Sequence, residues 1–442
     1  MIELIFILLQ FFIIFFLTSF NLFLSLNKNS KITNLSFSEN IAFNSVIFLN
    51  FILIISFFNV NLNTIIVCYF IFIVFLIIIY LSKFKTLFIF KNEDLIFSLL
   101  FFIASIVIFF EVANNLVIGW DAQKFWIYKM LNFYNGNSIT NLSNLPNPYY
   151  PYLGSLVWSF FWKVSFLENE YSGRLFYVFI YLSSLLLLIN NFRLSISYKI
   201  IFFILLIIIS YDYTYQSHWS MFSGFQEILI FSLVSISMHF LYKLSNSKIE
   251  LENFYISSIL LICNLLVWTK HEGFIISSSL ILILLFFFNF KIKKKINIFL
   301  IFLSIVFLRI FIFDFYNLNP SAIQHQGYDF NSYKDIFEKI SFLRILIVLK
   351  SLILNLLTNY LALLGFLIFF IMLITKKKLK KINYAIFFLI LNLSCFCAIY
   401  LVTSLDLTWM LKVGMDRIIY QLSPVFILFF LEFFNSKKYL KN

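Results

Sequence analysis

Apolar residues in this chain neither alternate nor recur on one helical face; they run almost unbroken, with short polar gaps between the runs. The runs fall near 3–25, 41–58, 63–82, 95–112, 173–190, 199–213, 225–243, 253–269, 274–290, 297–316, 356–375, 383–403 and 417–434. About 20 consecutive apolar residues, coiled as a helix, match the hydrocarbon thickness of a bilayer. The pattern predicts an all-α, polytopic membrane protein with about thirteen transmembrane helices. Two further apolar stretches, 151–166 and 333–352, adjoin long polar loops. They are expected as juxtamembrane helices lying along the outer interface.

Composition agrees with the pattern. Hydrophobic residues make up 62% of the chain and charged residues 12%, about half the charge of a soluble domain. The formal net charge of +13 invites a nucleic-acid reading, but its distribution argues against one. The lysines gather in short gaps: Lys28 and Lys31; Lys83 and Lys85; Lys291 and Lys293–Lys295; Lys376–Lys378, Lys380 and Lys381; Lys437, Lys438 and Lys441. Such clusters mark the cytoplasmic side of a membrane protein. With both juxtamembrane stretches kept out of the bilayer, every cluster falls on one face. The N-terminus lacks a positive leader segment and reads as a retained helix. Cys68, Cys263, Cys395 and Cys397 lie in apolar runs without metal-ligand spacing. Neither glycine-rich nucleotide fingerprint occurs.

The opposite face collects the unusual residues, and irregular backbone at a membrane surface is where a working site belongs. GWDAQKFWIYKM, residues 119–130, places Asp121 between Trp120 and Trp126, with Lys129 close behind. Indole rings settle at the membrane–water interface, and a carboxylate held there is a functional candidate. The bland reading of Asp121 is a helix cap. Tyr150 follows in a proline-rich turn, and Arg174 opens the next run. His218 and Glu227 flank a later gap; Lys270 and Glu272 form a tight turn that also reads as a simple hairpin cap. Trp409 and Asp416 are expected in the last outer loop, and Arg417 stands where that loop enters the last run. Asp416 and Arg417 also read as a weak surface pair. An arginine entering a span needs an anion; Asp416 is its sequence neighbour, so the two side chains diverge on one helix.

Four of these stretches resemble the GT-C superfamily of integral membrane glycosyltransferases, whose branches include the protein mannosyltransferases and the lipid A aminoarabinose transferase. GWDAQKFWIYKM is similar to the family's first outer loop and YYPYLGSLVW to its Tyr-Pro-Pro-Leu-type element. WTKHEGF is similar to a Lys-x-Glu-Gly turn, and DLTWMLKVGMDRIIYQLSP to a C-terminal Asp-Leu-x-Trp…Asp-Arg…Gln-Leu-x-Pro element. The family's second acidic residue sits in an Ala-Asp pair; here Gln226-Glu227 stands there, making Glu227 the nearest match. The resemblance implies a GT-C-like catalytic core over 95–434; the three N-terminal helices expected over 1–94 are extra to the family's pattern, and a basic cytoplasmic tail is expected over 435–442.

What the resemblance implies for function is transfer of a sugar from a polyprenyl-phosphate carrier to an acceptor hydroxyl on a glycan, lipid or protein. The site would face the periplasm from a bacterial inner membrane. Asp121 is the expected general base, with Glu227 as the second catalytic acid. Arg417, Lys270 and Arg174 are expected on the lipid phosphate, and Trp120, Trp126, Lys129, Tyr150, His218, Glu272, Trp409 and Asp416 around the substrate. No motif demands a cofactor or a fixed metal; a divalent cation stays open. Two rivals remain: a lipid-linked oligosaccharide flippase or transporter, and an O-antigen polymerase or ligase.

Overall fold

The computed structural model describes residues 2–17, 36–83, 92–165, 167, 169–216, 221–246, 251–319, 339–375, 382–403 and 405–436. Among them the backbone is helical or irregular, without a β-strand. The helices are α1 (Ile2–Leu17), α2 (Phe37–Ser56), α3 (Leu62–Lys83), α4 (Asn92–Asn114), α5 (Ile127–Tyr134) and α6 (Leu153–Ser165). Then come α7 (Tyr171–Ile189), α8 (Ile196–Gln216), α9 (Glu227–Asn246), α10 (Glu252–Thr269), α11 (Glu272–Phe286) and α12 (Ile292–Phe315). The last five are α13 (Phe342–Thr358), α14 (Tyr360–Ile374), α15 (Asn383–Val402), α16 (Leu407–Leu422) and α17 (Pro424–Ser436).

Eight helical segments among the described residues are long and apolar enough to cross a membrane, or nine if the bent pair α13–α14 counts as one span. Shorter apolar helices stand at Ile2–Phe11, Leu62–Ile78, Ile196–Tyr211 and Glu272–Phe286. α7 and α9 form the centre of the bundle: every residue of α7 is buried, and nearly all of α9. Their serines are what allow this. Ser183 and Ser232 donate to the carbonyls of Phe179 and Ile228, one turn back. A small hydroxyl satisfied within its own helix lets neighbouring helices approach closely. α4, α12 and α15 stand at the rim, with broad apolar faces exposed as lipid-facing helices require.

Three sequence expectations change. Residues 153–165 are helical but do not lie along an open surface: α6 is buried along most of its length. At 13 residues it is about 20 Å long, too short to span, and it wedges between α5 and α7. The other juxtamembrane stretch extends further than expected. Its 333–338 part lies outside the described residues; α13 (Phe342–Thr358) ends beyond 352 and meets α14 at 90°. Finally, the stretch before the last run is no loop. Asp406 accepts from the Trp409 N–H at 2.7 Å and caps a helix beginning at Leu407. Pro424 does not interrupt the path, because it stands at the first position of α17, where its missing N–H costs nothing. Leu407–Asn435 reads as one span.

The connectivity gives the bundle two chemically distinct ends. α4 and α10 finish at one end, where α7, α9 and α11 begin. At the other end Lys294 pairs with Glu252, placing Lys291–Lys295 at the start of α10, a full helix length from Lys270. That end also holds a buried network the sequence did not reveal: Glu39 contacts His239 at 3.2 Å and Lys243 at 3.1 Å. The other lysine-cluster residues Lys28, Lys31, Lys85, Lys376–Lys378, Lys380, Lys381, Lys437, Lys438 and Lys441 lie outside the described residues, and Lys83 is described only as backbone.

Candidate functional site

Asp121 follows the connector that leaves α4 and stands at the start of a π-helical turn, Ala122–Trp126. Such turns carry one extra residue and are frequent at functional sites. The turn and the start of α5 are docked through their carbonyls, since Ser155 donates to Trp126 O at 3.0 Å and Ser159 to Met130 O at 2.7 Å. Asp121 makes no side-chain cap bond, so the bland helix-cap reading does not hold. Its carboxylate instead contacts the Arg417 guanidinium.

Arg417 is the hub. Its Nε donates to Glu227 Oε1 at 2.6 Å, and its Nη2 contacts both Glu227 and Asp121. Lys270 donates to the same Glu227 oxygen at 2.9 Å and lies 3.0 Å from Glu272. Five ionisable side chains from four distant segments thus form one connected group. Glu227 is fully buried and its second oxygen has no hydrogen-bond partner among the described residues. The Phe225 ring lies under the guanidinium, 5.1 Å from its carbon. Burial opposes the charge on Lys270, but Glu227 and Glu272 outweigh it and hold the ammonium above its ordinary value.

The connectors that present Asp121 and Glu227 are tied to each other. Gly119 N donates to Ser223 O at 2.9 Å. Gly224, at φ +91°, turns the chain where an added Cβ would strike the Trp158 ring at 2.6 Å. Arg174 reaches the carbonyls of Val117 at 3.4 Å and Phe222 at 3.3 Å, and lies 2.9 Å from Glu170. That position corrects the expectation of Arg174 on a lipid phosphate: the side chain is buried and committed to backbone and Glu170, holding the two connectors in place.

The structure also revises the argument for Arg417. The anion that an arginine at that depth requires is supplied within the chain, by Asp121 and Glu227. Asp416 accepts from the Arg417 N–H at 2.7 Å. Lys129 is not open to substrate. It is fully buried, donates to Pro148 O at 3.3 Å and also to Tyr150 O, and burial holds its ammonium well below the ordinary value. It pins the proline-rich turn that presents Tyr150. The Tyr150 ring packs 4.5 Å from Phe125 and 4.9 Å from His271. Trp126 is buried in a cluster with Trp158 and Trp162, whereas Trp120 and Trp409 are exposed. His218 lies outside the described residues.

One residue near the group escaped the sequence reading. Arg309, inside α12, donates to Val267 O at 2.7 Å and lies 3.1 Å from His271 Nδ1. Burial, and after it the Arg309 charge, pushes the His271 imidazole down from its ordinary value. The signal was present: Arg309 is one of five arginines and interrupts an apolar run. The described residues hold no cluster of His, Cys, Asp and Glu suited to a metal. No family model, curated protein or solved structure matches the chain.

Proposed function

We propose that the chain is a membrane glycosyltransferase that moves a sugar from a polyprenyl-phosphate carrier to an acceptor hydroxyl, at the end of the bundle opposite Lys291–Lys295. The observation that carries the reading is the convergence of Asp121, Glu227, Lys270 and Arg417 into one group at a helix-bundle end. Ionisable groups at membrane depth are costly and are retained for function. In this reading the full chain has about thirteen spans, the group faces the outside of a bacterial inner membrane, and the sequence resemblance supplies the donor class.

The chemistry follows from the positions. The acceptor oxygen attacks the anomeric carbon as the bond from that carbon to the phosphate oxygen breaks. The phosphate departs with the electron pair. The hydroxyl proton passes to Asp121, which meets the guanidinium from an irregular turn and is less buried than Glu227. Charge develops on the leaving phosphate, and the Arg417 fork suits two of its oxygens. Glu227, with both cations on one oxygen, is the anchor that aims them.

The test uses purified protein in liposomes with a panel of polyprenyl-phosphate hexoses and pentoses. One donor should be converted to free polyprenyl phosphate with its sugar on an acceptor. Asp121→Asn should reduce the rate by about 10²-fold or more, the scale of a positioned base. Movement of donor between leaflets without consumption would instead identify a flippase.

A further inference from the structure

Three candidates stand outside the roles already given. The cavity of about 530 Å³ at the lysine-rich end is lined by Lys291, Lys293 and Lys294, but Lys294 is already neutralised by Glu252 and nothing there selects a ligand. The Glu39–His239–Lys243 network is satisfied within the protein, with Ser36 on Glu39 and Asn191 on His239. The charge balance around Arg417 goes further.

Asp121, Glu227 and Glu272 carry three negative charges against two positive charges on Lys270 and Arg417. The group has no positive charge left over. A phosphate brought to Arg417 would add at least one further negative charge beside carboxylates, and like charges packed together are strongly unfavourable. Either phosphate does not bind, or one carboxylate leaves as it arrives.

The carboxylates are unequally held. Glu227 is fully buried and receives Arg417 Nε and Nη2 as well as Lys270. Among the described residues, Glu272 is ion-paired with Lys270, at 3.0 Å, and not with the guanidinium. Asp121 meets Arg417 through Nη2 alone. Its side chain retains 14% exposure against 0% for Glu227, and it is followed by a π-turn rather than a regular helix.

We propose that Asp121 occupies the phosphate position on Arg417 and exchanges with the incoming lipid phosphate. Donor binding thereby releases the carboxylate from its cation and frees it as a base only when a donor is present. Until then the Arg417 contact keeps Asp121 paired. The inference rests on the proposed function, since it concerns the same site and donor class.

The exchange makes a prediction opposite to that of an ordinary substrate contact. Asp121→Asn removes the competing charge while keeping the shape, so it should bind phosphate more tightly than wild type even as it loses transfer. The probe is polyprenyl monophosphate, titrated into protein in nanodiscs. The expected gain is about tenfold, a fraction of a like-charge penalty. In wild type, mass spectrometry after carboxyl labelling should show Asp121 more reactive once the probe is bound, which tests the exchange without any variant. Inorganic phosphate forms the second arm and should give no response at concentrations where the lipid does; an equal response would assign the position to a free phosphate and overturn the lipid headgroup. Wild-type binding with no gain in Asp121→Asn and no rise in labelling would overturn the exchange alone. No binding by either protein would overturn the exchange and the glycosyltransferase reading together.

Discussion

At the scale of residues, one buried oxygen organises the site. Glu227 Oε1 is shared by Arg417 and Lys270, so removing Arg417 leaves a buried carboxylate with half its neutralisation. Breaking a buried pair from one side costs about 3–5 kcal/mol. Arg417→Met should therefore lower the thermal midpoint markedly, and adding Glu227→Gln should recover part of the loss; a double variant no better than the single would remove the pair from the account. Lys129 gives a pH signature. Its folded-state value lies well below 10.5, so in the window beneath 10.5 the unfolded chain holds a proton that the folded chain has released. Stability should rise with pH there, and Lys129→Met should remove that component of the slope in thermal melts. Identities were legible in the sequence at this scale: Asp121, Glu227, Lys270 and Arg417 all stood out as charges at the ends of apolar runs. Their partners were not legible. Glu227 and Arg417 lie 190 positions apart, and spacing carries no distance between helices whose packing is unknown. Arg174 and Lys129 looked equally available as chains of letters; burial alone separates them.

At the scale of elements, apolar runs of this length leave little freedom, since backbone groups in lipid must be satisfied within the helix. That is why the expected runs reappear as helices with ends shifted by a few residues. Ends are set by caps and by tertiary contacts, and two of them moved for that reason. The start of α16 depends on Asp406 reaching Trp409 N, a local bond hidden in a polar-looking stretch. The 90° break between α13 and α14 depends on Asn359, whose side chain accepts from Ala362 N at 3.0 Å. Asn359→Ala should destabilise the α14 start by about 1 kcal/mol. Hydrogen exchange of the Tyr360–Leu363 amides should accelerate, while that of α9 is unchanged; uniform acceleration would show the cap to have no local role.

At the scale of the whole molecule, the bundle separates an ion-paired group at one end from Lys291–Lys295 at the other. Positive clusters favour the cytoplasmic side, which predicts the sidedness. A single cysteine placed at Asn137 should react with an impermeant reagent in intact cells, and one placed at Lys293 only after permeabilisation. Labelling of both from the same side would break the two-ended arrangement. The decisive measurement is a cryo-electron microscopy map of the protein in nanodiscs saturated with polyprenyl monophosphate. The account predicts phosphate density within hydrogen-bond reach of the Arg417 guanidinium and the Asp121 carboxylate moved off it. Arg417 still closed on Asp121, with the lipid phosphate elsewhere or absent, would contradict it.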